Sequence, residues 1–566
     1  MKKHFISPVL FLTGILLSGW IFSGCGNAKK NTEVELKDFI KKFEAKFIPL
    51  AKESAIASWN AETSGNEADY KKSADLEFKV SQIFSNKQDF ETLKKFKEAK
   101  DINDPLLKRQ LDVLYNDFLG QQIDSVKTKQ MIDQQSKISK MFNNFRPVVG
   151  KDTLTDNQVD SILRSSTDSK MLEATWLASK KSGANVSKEV IELVKMRNAA
   201  AKELGFKNYH EMSLKLSDQD PAEIEKLFNE LDSLTRDSFA QLKGDIDQYF
   251  AKRYKVKAED LMPWHYQNRF FQEAPKIYKA DLDGYYKDKD VITVTKDYYN
   301  GIGLQVEDMI KKSDLFERKG KNQHAFCTDI DRLGDVRVLC NVKNNQSWMG
   351  TMLHEFGHAN YSKYNDRDLP YMLRDAAHTF TTEAIAMFFG RLCTNPQWMK
   401  ANIGISEDES KKIADDCYKS LRLEQLTFSR WAQVMYRFEK GMYENPDQDL
   451  NKLWWDLVEK YQMLKRPAGR NEPDWASKIH IALYPCYYHN YLMGELLASQ
   501  FTYYIAKNIY KTDDIRTLDF SKNPEIGKYF IDKVFKPGMK YQWNDMIEKA
   551  TGEKLNPKYF ARQFVK

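Results

Sequence analysis

From Val34 onward the apolar residues of this chain return every three or four positions, and that spacing limits what the chain can build more than any other feature. Leu36, Phe39, Ile40, Phe43, Phe47 and Leu50 fall on one side of a 3.6-residue helix. The pattern runs to about Asn144, interrupted at Asp101-Ile102-Asn103-Asp104-Pro105 and closed by Arg146-Pro147-Val148-Val149-Gly150, so residues 34–150 read as an antiparallel helical layer. It resumes through Met196 to Leu216 and again from Pro221 to about Lys255, where Asp218 or Asp220 is placed to cap the second segment. Breakers are scarce: 25 glycines and 16 prolines in 566 residues fall below the roughly 7% and 5% of average proteins. With 30% charged residues to solvate outward faces, the chain is expected to be all-α or mostly α. No repeat of fixed period is visible, so at most one catalytic unit is implied.

One stretch breaks the helical rhythm. In His324 to Val342, Val336, Val338, Cys340 and Val342 alternate with Arg337, Leu339 and Asn341 after Leu333-Gly334, which predicts a β-hairpin. A two-residue turn at Leu333-Gly334 sets Cys327 opposite Cys340 and predicts a disulfide between them. The other cysteines after residue 25 are Cys393, Cys417 and Cys486; no CxxC occurs, which argues against a thiolate zinc cluster.

The chain opens with Lys2 and Lys3, an apolar run from Phe5 to Phe22, and Ser23-Gly24-Cys25. This is the pattern of a secretion signal, and its end resembles a bacterial lipoprotein box, in which residues 1–24 are removed and Cys25 is lipidated. The alternative is an uncleaved anchor, although eighteen residues with Pro8 among them are marginal for a span. Either way the protein is expected to leave the cytoplasm, tethered to a membrane through residues 25–33 in the lipoprotein case. Loss of residues 1–24 lowers the formal charge from +7 to +5. That balance, with lysine and glutamate interspersed and no basic stripe, gives no reason to expect a nucleic-acid partner.

The chain has nine histidines, and two of them stand in His354-Glu355-Phe356-Gly357-His358. On a helix through Ser347 to Tyr361, positions i and i+4 share a face, so both imidazoles can reach one ion and Glu355 can hold a water beside it. An ordinary amphipathic helix carrying two polar residues is the competing reading. A catalytic zinc needs a third protein ligand. Thr379 to Leu392, rich in helix formers, offers Glu383 in otherwise apolar surroundings (Ile385, Met387, Phe388, Phe389), where an unpaired acid is costly. Glu383 is the expected third ligand.

The segment HEFGHANYSKYNDRDLPYMLRDAAHTFTTEAIA resembles the zinc segment of the angiotensin-converting-enzyme family of peptidyl-dipeptidases, which carry HEMGH, a KDLP turn and HEAIGD. His324-Ala325 is similar to that family's pair on a substrate-holding edge strand. Leu453-Trp454-Trp455-Asp456-Leu457 with Lys460-Tyr461-Gln462, Lys478-Ile479-His480-Ile481 and Tyr488-His489-Asn490-Tyr491 match further motifs, and Ala57-Ser58-Trp59-Asn60 does so more loosely. The resemblance covers most of the chain after the signal and is weak between about 65 and 260. It implies a single two-lobed gluzincin domain over 34–566 with a deep cleft, one zinc ion on His354, His358 and Glu383, and Glu355 as general base. It further implies His480 and Tyr491 as oxyanion donors, Lys478 and Tyr488 as binders of a peptide's C-terminal carboxylate, oligopeptide substrates, and a monomer.

Several positions depart from the family pattern. The glutamine that completes the carboxylate pocket falls by spacing at Glu273, with Gln272 its neighbour; Gln272 is the expected pocket residue, and an inward Glu273 would repel the substrate. Met387 stands where an aspartate would orient a zinc histidine, leaving Asp375 as a substitute acceptor. Tyr487 competes with Tyr488 in the alignment. Asn490 replaces the arginine of chloride-activated members, so chloride activation is expected to be weak or absent. Gln323 stands at the family cysteine. Two other functions remain open at this point: a thimet-like oligopeptidase cutting short peptides internally, and a peptide-binding lipoprotein that has lost catalysis.

Overall fold

The computed structural model describes residues 32–278 and 281–565. The signal and the lipidation site at Cys25 lie outside the described residues. No described helix is long and apolar enough to cross a membrane. Among the described residues the chain is mostly helical, with two antiparallel two-stranded ladders, β1 (Val148–Val149) with β2 (Asp152–Thr153) and β3 (Phe326–Asp329) with β4 (Val336–Leu339).

The N-terminal segment runs through α1 (Thr32–Ser64), α2 (Glu67–Phe84), α3 (Lys87–Glu98), α4 (Pro105–Gly120) and α5 (Ser125–Asn144), of which α1 to α4 form the layer. Asp104 caps α4 by accepting from Leu106 N and Leu107 N, with Pro105 at the first turn, where its missing N–H costs nothing. The periodic residues of α1, Leu36, Ile40, Phe43 and Phe47, pack with Leu93 and Phe96 of α3 and with Leu107, Leu111, Leu114 and Phe118 of α4. This small core is separate from the main one, and Tyr371 and Met372 are the body residues that enter it. The layer therefore ends earlier than residue 150: Ile138 of α5 belongs to the main core, because α5 packs on the long helix Ser169–Glu203. Polar contacts fasten the layer to the body. Arg109 donates to Asp218 Oδ2 at 2.6 Å and to Met539 O at 3.0 Å, Lys52 Nζ meets Asp331 at 3.0 Å, and Asn322 donates to Glu62 Oε2 at 2.6 Å.

Asp220, not Asp218, caps the helix Pro221–Tyr254; Asp218 has φ +60 in the turn before it. The expected helix from Met196 to Leu216 is broken at Glu203, with Gly205 at φ +88, and restarts at Tyr209.

The hairpin is present with a different register. Cys327 faces Val338, and Phe326 faces Leu339. The turn is a four-residue loop closed by Ile330 N donating to Asp335 O at 2.9 Å. Asp329 accepts from Asp331 N and Arg332 N, and Asp331 accepts from Leu333 N and Asp335 N. These carboxylates satisfy the backbone of a wider loop, as Asx-type turns do, and shift the pairing by two residues. Cys327 and Cys340 are not opposite each other and are both free thiols, so the expected disulfide is absent. His324 and Ala325 lie just before β3 instead of within it, and His324 N donates to Asn322 Oδ1 at 2.8 Å.

The outer edge of β4 is covered. Asp314 N donates to Val338 O and Cys340 N donates to Asp314 O, both at 2.9 Å, and the buried Lys321 ammonium holds that segment through Asp314 O, Phe316 O and Cys340 O. Among the described residues no strand pairs with the other edge of β3, which packs beside the helix Gln346–Lys363.

Candidate zinc peptidase site

Three helices converge on one spot. Asn345 caps the motif helix Gln346–Lys363 by accepting from Trp348 N at 2.8 Å. His378 starts the helix Thr379–Gly390, its Nδ1 accepting from Phe380 N while Thr381 Oγ1 accepts from His378 N. The third helix is His489–Asn508. Glycines let the backbones approach. A Cβ on Gly357 would stand 3.0 Å from Ala386 Cα, and one on Gly494 would stand 3.1 Å from Met387 Sδ and 3.2 Å from Glu383 Cβ.

That closeness brings short side chains together. His354 Nε2 and His358 Nε2 are 3.3 Å apart, and Glu383 Oε2 lies 3.8 Å from the first and 3.9 Å from the second. Donors bound at about 2.0–2.1 Å around a tetrahedral zinc stand about 3.3 Å apart, so the histidine pair already has the edge length of such a site and the glutamate is about half an ångström wide. Among the described residues this is the group of three or more His, Cys, Asp or Glu able to share an ion. The donor chemistry, two imidazoles and a carboxylate, fits zinc.

Burial sets the charges of the cluster. It pushes the Glu355 carboxyl up to about 8, helped by Glu383, and the Glu383 carboxyl up to about 7, helped by Glu495. It pulls His354 down to about 4 and His358, further lowered by His354, to about 3. The imidazoles are thus neutral ligands at pH 7, and a dication supplies the positive charge that favours the ionised carboxylates.

The residue that orients a zinc histidine is Thr382, which the sequence reading missed: its Oγ1 lies 2.7 Å from His358 Nδ1. Asp375 does not take that part; it is half exposed and pairs with Arg332 at 3.0 Å. Among the described residues none accepts from His354 Nδ1, in keeping with Met387 at the position that lacks a carboxylate. Nothing in the spacing of Thr-Thr-Glu distinguishes Thr382 from a helix-start threonine.

Around the cluster, Tyr491 and Tyr487 both sit within the field of Glu383, with their rings 5.2 Å apart. Tyr487 Oη is 3.4 Å from Thr379 Oγ1 on the wall of a cavity of about 560 Å³ that also includes Thr382 and His378. Tyr488 turns the other way, its ring 5.3 Å from Lys478 Nζ and 5.3 Å from the His480 ring. This separates the two tyrosines that the alignment left in competition. His480 Nδ1 is buried with no partner among the described residues, and burial with the nearby Lys478 pulls this imidazole down to about 4, so it is neutral at pH 7. Lys478 is 8% exposed and donates to Gln272 Oε1 at 2.6 Å. Glu273 points elsewhere, half exposed and 3.1 Å from Arg164. The carboxylate feared at this pocket is turned out, and the amide is turned in. Asn490 accepts from Gln219 at 2.8 Å in a neutral pair. Burial raises the Cys327 thiol on β3, and the charge of Glu355 adds to the effect.

A family profile described as peptidase M2, angiotensin-converting enzyme, matches residues 30–561. The chain belongs to the angiotensin-converting enzyme family. That family is one of zinc-dependent metallopeptidases, with which the donor set here agrees. The angiotensin-converting enzyme of Mesocricetus auratus is 21% identical over 358 residues, 58% of this chain and 27% of that protein. That of Rattus norvegicus is 22% identical over 364 residues, 60% of this chain and 27% of its own length. The inactive angiotensin-converting enzyme-related protein of Caenorhabditis elegans is 22% identical over 498 residues, 79% of this chain and 54% of that one. The chain spans about a quarter of the length of the two mammalian relatives and about half of the nematode one.

Proposed function

We propose that this family member is a peptidyl-dipeptidase that releases dipeptides from the C-terminus of oligopeptides. The observation that carries the reading is Lys478, a buried ammonium whose hydrogen-bond acceptor is the neutral amide of Gln272, near the His354-His358-Glu383 cluster. Among the described residues no carboxylate lies within ion-pair distance of this ammonium, Glu273 acting on it only from farther off, so an anion on the ligand would be its match. Here that anion is the free carboxylate of a peptide, with Tyr488 at its side.

Zinc held by His354, His358 and Glu383 would polarise the scissile carbonyl and acidify the attacking water. Glu355 takes that water's proton and passes it to the departing amine nitrogen. The Tyr491 hydroxyl and the His480 N–H stabilise the oxyanion, a role worth about 3 to 4 kcal/mol per donor in other hydrolases. The residues His324 and Ala325 and the open edge of β3 offer backbone groups to an extended peptide. Attachment to a membrane through a lipid on Cys25 is part of the same reading, and Cys25→Ala releases the protein from the membrane fraction if it holds.

The test is a mass-spectrometric time course on a free-acid peptide and its C-terminally amidated twin, with and without a zinc chelator. Stepwise dipeptides from the free acid alone, abolished by chelator, support the reading. Internal cuts in both peptides point instead to an oligopeptidase, and no cleavage by zinc-loaded protein points to a binding protein.

A further inference from the structure

His480 stands on the five-residue helix Ile479–Leu483, and residues 484–488 connect it to the helix His489–Asn508, which carries Tyr491. A helix this short does not hold itself. The His480 side chain does not fix its own place either. Its ring centroid lies 5.5 Å from that of Tyr484 and 5.3 Å from that of Tyr488, and it makes no side-chain hydrogen bond among the described residues. The aim of the imidazole is therefore set by the backbone that carries it.

Two buried residues hold that backbone. Arg197, on the helix Ser169–Glu203, donates through Nη2 to Ala482 O at 2.8 Å, one of the terminal carbonyls that a helix cannot satisfy internally. The same guanidinium donates to Tyr443 Oη at 3.2 Å and to Gln135 Oε1 at 3.1 Å, so two further helices fix its direction. Glu439 stands one turn before Tyr443 on the helix Glu407–Glu444 and accepts from Cys486 N at 2.9 Å. Cys486 has φ +56, a conformation that a residue with a side chain keeps only where its surroundings impose it. Arg197 is 5% exposed and Glu439 2%. A buried carboxyl is costly, and an apolar side chain would pack a core as well; what Glu439 adds is the acceptor at the turn. The carboxylate-binding residues of the segment have anchors of their own, Lys478 on Gln272 at 2.6 Å and Tyr488 against Trp431 and Phe428. We propose that Arg197 and Glu439 are positioning residues that aim His480 at the oxyanion by holding Ala482 and Cys486. The proposal rests on the peptidase reading, in which His480 is an oxyanion donor, and adds the residues on which that donor depends.

The test is steady-state kinetics of the zinc-loaded protein on a free-acid peptide, with substitutions that disturb the packing little. Glu439→Gln keeps an acceptor oxygen at the same reach and removes the charge, whereas Glu439→Asp keeps the charge and withdraws the oxygen by one methylene. Arg197→Lys keeps the charge and loses the planar fork. An oxyanion donor acts in the transition state, so the loss belongs to kcat. Glu439→Asp and Arg197→Lys are expected to lower kcat about 10- to 100-fold with KM within about threefold of the parent, while Glu439→Gln keeps kcat within about threefold. In a His480→Ala background the further loss from Glu439→Asp should shrink to about twofold or less. The proposal is overturned if Asp and Gln behave alike, if KM takes the loss, or if the loss persists without His480. Variants that lose zinc or melt far below the parent would make the pair structural and overturn it too. If the zinc-loaded parent cleaves no peptide, the peptidase reading itself fails and this inference falls with it. If the parent cleaves and the variants keep its kcat, only the inference falls.

Discussion

At the scale of single residues, the site depends on hydroxyl and ammonium groups that have no obvious place in a zinc motif. Thr382 is the oxygen partner of His358 Nδ1, which leaves Nε2 for the metal. Thr382→Val is expected to weaken zinc binding by about 10- to 100-fold, read by competition against a fluorescent chelator. Lys478 is pulled by burial to about 8, so it is charged at neutral pH and loses its proton as the pH rises through that value. A bound carboxylate stabilises the charged form, and the loss therefore belongs to KM: KM for free-acid peptides rises above pH 8 while kcat changes less. Lys478→Met raises KM at neutral pH by at least about 30-fold and removes the step, as initial rates across pH 6 to 10 will report. The grouping of His354, His358 and Glu383 was legible because two histidines four apart share a helix face and an acid in apolar surroundings is costly without a partner. Thr382 was not, because it looks like any helix-start threonine.

At the scale of elements, the helical periods and their caps follow from the sequence, and the hairpin's existence does too. Its register does not, because hydropathy alternation is blind to Asp329 and Asp331 bonding the loop backbone. The same blindness produced the disulfide that is absent. Helix crossing is the other feature no periodicity reveals. The motif helix and the Glu383 helix meet at Gly357, where an added Cβ would stand only 3.0 Å from Ala386 Cα. Gly357→Ala is expected to spread the pair and to cost about 1–3 kcal/mol. Because the ligands sit on both helices, zinc affinity should fall as well. Thermal melts with and without chelator separate the two effects: the mutant should lose both stability and part of the zinc-dependent gain in Tm.

At the scale of the whole molecule, the N-terminal layer keeps a small apolar core of its own, which Tyr371 and Met372 of the body enter, and meets the body further through Arg109–Asp218, Lys52–Asp331 and Glu62–Asn322. A unit with its own small core can open at less than the free energy of global unfolding. Hydrogen exchange should show the amides of α1, α3 and α4 exchanging together, ahead of those in the three site helices, and more readily as salt screens the exposed Lys52–Asp331 pair; uniform exchange across both sets would contradict this. Two sources of cohesion in one chain have an evolutionary side. Substitutions can accumulate in the outer layer while the helices that carry His354, His358 and Glu383 keep their packing, so the two parts are free to diverge at different speeds.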